Sequence, residues 1–237
     1  MATIVELAVF LLQSAIFVLF LLAVRRRDAA AAINALGAFV LALLPLIVEI
    51  LLQAILTRGV LFGPILPLWL AAAGFLHSLG MLGLYETTWW WDHLTHTVSA
   101  ALVAALLYAS VIVSPPDIAG IGNSSGIVVA VTVAFTFAIG VFWELIELVA
   151  REAGERFDIE PVLVHYGWRD TAADLGFDVV GALLVVGADL RVFVPLTERF
   201  PDVTEVVLFG AGWTVLVGSA LMALLVGLGS SVRRFTS

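Results

Sequence analysis

The chain predicts an all-α integral membrane protein: a bundle of about seven transmembrane helices, N-terminus outside and C-terminus cytoplasmic. Three observations carry this. Of 237 residues, 62% are hydrophobic and 13% charged, with mean hydropathy +1.12, whereas a soluble domain is near half apolar and a quarter charged. The apolar residues fall in seven runs, and a span takes ~20 residues. Arginine is also unevenly shared between alternate ends of these runs, as the positive-inside rule requires. One membrane domain over residues 1–237 accounts for the length.

The elements follow in order. Residues 4–24 form an apolar run closed by Arg25, Arg26 and Arg27. A cleaved leader carries its positive charge before the run, so this reads as a retained first helix. Spans at 30–56, 62–85 (with Pro64 and Pro67 near its start) and 92–113 come next. Residues 114–126, rich in Pro, Gly and Ser, read as a loop. A fifth span covers 126–150, and 151–168 is a polar connector. A sixth covers 170–190 despite three aspartates in its first turns, with a re-entrant segment as the alternative. A seventh covers 206–228. This places Arg25, Arg26, Arg27, Arg151, Arg156, Arg169, Arg233 and Arg234 inside, against Arg58, Arg191 and Arg199 outside.

Composition also excludes chemistry. Cysteine is absent, which removes disulfides and thiolate ligands. All 11 basic residues are arginines; without lysine there is no retinal Schiff base and no P-loop. No haem, flavin or nucleotide motif stands out. The acidic balance, net charge −8, argues against nucleic acid. An Ala-rich, Lys-free, acidic chain suits a prokaryotic cytoplasmic membrane, with a halophile-like or high-GC composition.

Charges in hydrocarbon cost ~2.5–3.5 kcal/mol each on insertion scales, so each needs a reason. Asp92 and His96 are i and i+4, Glu144 and Glu147 i and i+3, and Asp170, Asp174 and Asp178 i, i+4 and i+8. Each set projects from one helix face. On the seven-span topology all three lie at the cytoplasmic end of their spans, with His77 about two turns inside. Carboxylates with imidazole and no thiol are a ligand set for Mg²⁺, Mn²⁺, Fe or Zn²⁺. The expected ligands are Glu144, Glu147, Asp170, Asp174 and His96, with Asp92 and His96 catalytic, and Asp178, His77 and His93 as additional candidates.

Plainer readings compete. Asp92 and Asp170 would favourably meet a helix N-terminus. Arg151 or Arg169 could form interfacial ion pairs with Glu147 or Asp170. Asp178 reads equally as a protonated helix–helix hydrogen bond, and His93 as interfacial. Tyr85 with Trp89, Trp90 and Trp91 reads as an aromatic belt. Glu49 pairs with Arg58 in the outer half, and Asp189 with Arg191 marks the outer end of the sixth span.

The motifs Asp92-x-x-x-His96, Trp143-Glu144-x-x-Glu147 and Asp170-Thr-x-x-Asp174 followed by Gly181-Ala182 resemble, in spacing and order, the YjdF-like family of uncharacterised inner-membrane proteins. The resemblance covers roughly residues 85–190. It implies a multi-pass membrane protein with these polar positions and no established activity; His93 and Asp178 are not part of its pattern. Three function classes follow. The first is a metal-dependent enzyme acting on a lipid or isoprenoid at the cytoplasmic leaflet. The second is a transporter or channel for a divalent cation or protons, and the third an accessory membrane subunit. Substrate, metal identity and oligomeric state are left open.

Overall fold

A computed structural model describes residues 2–56, 62–114, 125–158, 161–163 and 166–236, with side chains from 4 to 227. The described residues are helical throughout, without strands. The helices are α1 (Ala2–Arg26), α2 (Ala29–Leu56), α3 (Ile65–Leu79, continued through a widened turn at Gly80–Leu84 to Tyr85–Thr87), α4 (Trp91–Val113), α5 (Ser125–Phe157), α6 (Trp168–Gly187), α7 (Val194–Arg199) and α8 (Pro201–Thr236). Six are long and apolar enough to cross a membrane: α1, α2, α3 with its continuation, α4, α5 and α8. The expected sixth span does form a 20-residue helix, α6. Its Arg169, Asp170, Asp174 and Asp178 keep it out of the apolar set.

Three boundaries differ from expectation. The connector at 151–168 begins as helix, because α5 continues to Phe157 with an i,i+4 ion pair between Arg151 and Glu155 at 3.0 Å. A short helix, α7, precedes the last span, which starts at Pro201. The third span is interrupted near its end, where Gly83 takes φ +120°, a conformation open to glycine and strained for other residues. The expected loop at 114–126 falls largely outside the described residues, as do Arg58 and the side chains of Arg233 and Arg234.

The chain divides into two compact units, Met1–Val98 and Ser99–Ser237. In the first, α1, α2 and α3 pack pairwise around Ile16, Ala42 and Ala71, flanked by Leu12, Ala38, Phe39 and Phe75. Small residues allow the close approach on which membrane helices depend, since lipid leaves no hydrophobic drive between them. The α1–α2 hairpin is tight. Arg27 takes φ +60°, and the Asp28 and Arg27 amides return to the Ala23 and Val24 carbonyls at 3.1 and 3.0 Å, a Schellman ending. Asp28 then caps α2, accepting the Ala31 amide at 2.8 Å. Within α2, Pro45 breaks the hydrogen-bond ladder. In the same turn the Ala42 carbonyl accepts from the Gln13 side chain at 2.9 Å, a polar bond between α1 and α2.

In the second unit α5 packs on α6 and on α8. The buried face of α5 reads Val128, Thr132, Thr136, Gly140 and Glu144; that of α6 reads Asp174, Asp178, Gly181, Ala182 and Val185. Each is a stripe at helical spacing, but the two are polar where a membrane helix is usually apolar. On its other side α5 sets Phe142 against Gly218 and Phe135 against Gly212 of α8. Isoleucines, leucines and phenylalanines along α1, α2 and α8 lie exposed, the surface a bilayer covers.

Candidate metal-ligand residues

The first unit holds two linked polar groups. At the start of α4, Asp92 Oδ1 and His96 Nε2 lie 3.9 Å apart, both half-buried, as the i,i+4 spacing predicts. His93, one residue on from Asp92, turns instead to the Trp89 ring, edge-on at 6.3 Å between centroids. His77 is engaged on both ring nitrogens: Nδ1 is 2.8 Å from the Tyr85 hydroxyl and Nε2 3.1 Å from Asn34 Oδ1. Trp91 donates its indole N–H to the Leu76 carbonyl at 3.1 Å. Trp91 therefore ties α4 to α3 and Tyr85 reaches back to His77 within α3, while Trp89 and Trp90 are exposed. Glu49 accepts the Phe62 amide at 2.6 Å; its expected partner Arg58 lies outside the described residues.

The second unit holds three buried carboxylates. Glu144 is 6% exposed, Asp174 2% and Asp178 5%, one from α5 and two from α6. Gly140 makes room for them, because a Cβ there would collide with the Asp178 carboxylate. Asp170 sits half-buried in the first turn of α6, where the macrodipole favours it. Glu147 accepts the Trp143 indole N–H on Oε1 at 2.8 Å. On the surface, Arg151 pairs with Glu155 and Arg169 lies over the Trp168 ring at 5.4 Å.

At the far end of α6, beyond its last turn, Asp189 accepts from Tyr108 at 2.6 Å and from Arg191 at 2.8 Å. The Arg191 guanidinium, with the Tyr108 hydroxyl second, holds the Asp189 carboxyl below its ordinary value.

By donor type, the residues so arranged suit a hard or borderline divalent ion: carboxylate oxygens, one imidazole and no thiolate. In the first unit Asp92 and His96 offer such donors, and in the second Glu144, Asp174 and Asp178 do. Two features carry no motif: Asn34, although an amide in an apolar span is itself a signal, and Gly140, visible only once α6 is placed against α5.

A chain whose described elements are all helices, six of them long and apolar enough to cross a membrane, is a multi-pass membrane protein. It belongs to the family described as predicted membrane protein DUF2238, whose model matches residues 7–194. That match accords with the resemblance to an uncharacterised membrane family and extends it through α1 and α2. No curated protein and no solved structure matches the chain.

Proposed function

We propose that this protein is a metal-dependent membrane enzyme acting on a lipid or isoprenoid substrate at the cytoplasmic leaflet, its seven spans forming one domain with the N-terminus outside. One observation carries the reading. Among the described residues, the buried polar and charged side chains are Ser78, Thr95, Thr132, Thr136, Glu144, Asp174, Asp178 and Thr197. They include three carboxylates and no arginine. Like charges in low dielectric repel, and a divalent ion held by them would offset that repulsion.

In this reading His96, Glu144 and Asp174 are ligands, with Glu147 and Asp170 toward the headgroup side. Asp92, 3.9 Å from His96 Nε2, orients the imidazole, and that pair handles the proton. When bound, a divalent ion polarises a phosphate oxygen or acidifies a water. On the seven-span topology these residues fall at the cytoplasmic ends of their spans, near the depth of a lipid phosphate.

Metal content of the purified protein, by elemental mass spectrometry after purification without chelators, tests this. Near-stoichiometric Mg, Mn, Fe or Zn is expected, lost in Asp174→Ala and Glu144→Ala while helicity and melting persist. Stoichiometric metal retained in both variants would sink the assignment.

The continuation of the α5 stripe through Thr136 and Thr132 favours a second reading, passage of a cation or proton along α5 and α6. From Glu144 to Thr132 it runs ~18 Å at ~1.5 Å per residue. Metal-driven flux in proteoliposomes, abolished by Asp178→Asn, would favour it over the enzyme.

A further inference from the structure

Several hydroxyls in the helices of this chain are satisfied in the same way. Ser78, Thr97, Ser110, Thr132, Thr136 and Thr214 each donate to the carbonyl four residues back, at 2.7–2.8 Å. A membrane helix settles within itself a hydroxyl that lipid cannot satisfy. Thr171, in the first turn of α6, does not follow them. Its Oγ1 is shut off from solvent and meets no hydrogen-bond partner among the described residues.

The start of α6 closes the usual acceptor. Gly167 takes φ +114°, and its carbonyl already accepts the Asp170 and Thr171 amides, at 3.0 and 3.1 Å. The Asp174 carboxylate, one turn on, does not accept from Thr171 either. A buried hydroxyl left without a partner is costly, and among the causes that retain one is an ion bound beside it.

Its position on α6 narrows the choice. At ~100° per residue, Thr171 lies ~20° around the helix axis from Asp178 and ~60° from Asp174. It therefore opens the stripe that continues through the buried Asp174, Asp178, Gly181, Ala182 and Val185. Helix residues three apart have Cβ atoms ~5–6 Å from each other. That spacing lets one oxygen from Thr171 and one from Asp174 meet a common ion at ~2.0–2.6 Å. Asp174 is 2% exposed, and Glu144 on the adjoining α5 is 6% exposed. Next to carboxylates, oxygen lone pairs favour a cation, and an anion would be repelled. The donors on these two helices are all oxygens, the set that hard ions prefer.

We propose that Thr171 is a cation-binding residue: its hydroxyl oxygen joins Asp174 in holding a hard divalent ion, Mg²⁺ or Mn²⁺, at the start of α6. The presence of an ion rests on the proposed function above. Thr171 adds a neutral ligand to it and narrows the choice of metal. If Thr171 served packing alone, valine would serve as well, having the same shape and no hydroxyl.

The test uses the full-length protein in lipid nanodiscs, with Mn²⁺ alone and Zn²⁺ alone as probes. Thr171→Val removes the hydroxyl, Thr171→Ser keeps it, and Asp174→Ala reports on the site as a whole. Without metal, Thr171→Val should melt at or above the wild-type temperature, because the unsatisfied hydroxyl is gone. Its Mn²⁺ affinity should fall by ~10-fold or more, the scale on which groups that support a metal site act, and Thr171→Ser should recover most of it. Zn²⁺, satisfied by four ligands, should lose less. Should Thr171→Val fail to fold, Thr171→Ala takes its place. Wild-type Mn²⁺ affinity in Thr171→Val, with binding abolished in Asp174→Ala, would overturn the role of Thr171 and leave the metal site standing. A wild type that binds no Mn²⁺ would overturn both. Equal losses for Mn²⁺ and Zn²⁺ would overturn the choice of ion. A lower melting temperature of metal-free Thr171→Val would show that the hydroxyl has its partner within the fold, against the proposal.

Discussion

Asp189 occupies a backbone position that usually goes to glycine. It closes α6 at φ +50°, with the Leu190 and Asp189 amides returning to the Val185 and Val186 carbonyls. Asp and Asn tolerate this region better than other side chains, and here the carboxylate also gathers Tyr108 and Arg191. Because its folded pKa lies below the ordinary 3.8, its contribution to stability is complete above that value. It is lost as pH falls through the lower, folded value. Asp189→Asn keeps the backbone tolerance and removes the charge. Its melting temperature should fall below wild type at neutral pH, and the gap should close on acidification toward about pH 3. The effect is small, since the pair is exposed to solvent. A gap that stays constant from neutral to acid pH would show that the ion pair contributes nothing.

At the scale of elements, α5 and α6 meet through a glycine set against a carboxylate. Gly140→Ala introduces a methyl where Asp178 lies, so the helices must part or the carboxylate must move. Overpacking of this kind costs ~1–3 kcal/mol. Gly176, on the open face of α6, meets nothing within 4 Å. Gly176→Ala should be neutral or stabilise by up to ~1 kcal/mol through helix propensity. Denaturant unfolding in detergent distinguishes the two; equal midpoints would mean that the α5–α6 contact is not close. The α1–α2 pair supplies a second case. Gln13→Leu removes the donor to the Ala42 carbonyl beside Pro45, and buried polar bonds between membrane helices average ~0.6 kcal/mol. A drop of that order in unfolding free energy is expected, and a rise would show that the Pro45 turn is satisfied without it.

For the whole molecule, the open structural choice is whether α6 crosses the bilayer. Its length, 20 residues, suffices, and its acids make crossing costly unless they are neutralised. The chain has no cysteine, so single cysteines report sidedness directly. Glu86→Cys lies between α3 and α4, and Asp202→Cys at the start of α8. With α6 spanning, three crossings separate them and a membrane-impermeant thiol reagent labels only one in intact cells. With α6 re-entrant, two crossings separate them and both label alike. We expect opposite sides, with Asp202→Cys outside.

Most of the architecture was legible in the sequence. Hydropathy and span length reveal membrane helices because lipid cannot satisfy an open backbone. The acidic spacings marked Glu144, Asp174 and Asp178 before any coordinates. Less legible were the break at Gly80–Leu84, the extension of α5 to Phe157 and the partners of each polar side chain. Helical periodicity tells which residues share a face, but not which face meets which. That is why the contacts of Glu147 with Trp143 and of Tyr85 with His77 emerge only from the structure. Sequence by itself determined a helical membrane protein and the residues whose charge needs an explanation. Only the tertiary structure decided that Gly140 receives Asp178 and that His77 meets Asn34 and Tyr85. Both depend on distances between segments far apart in the chain, which local pattern does not encode.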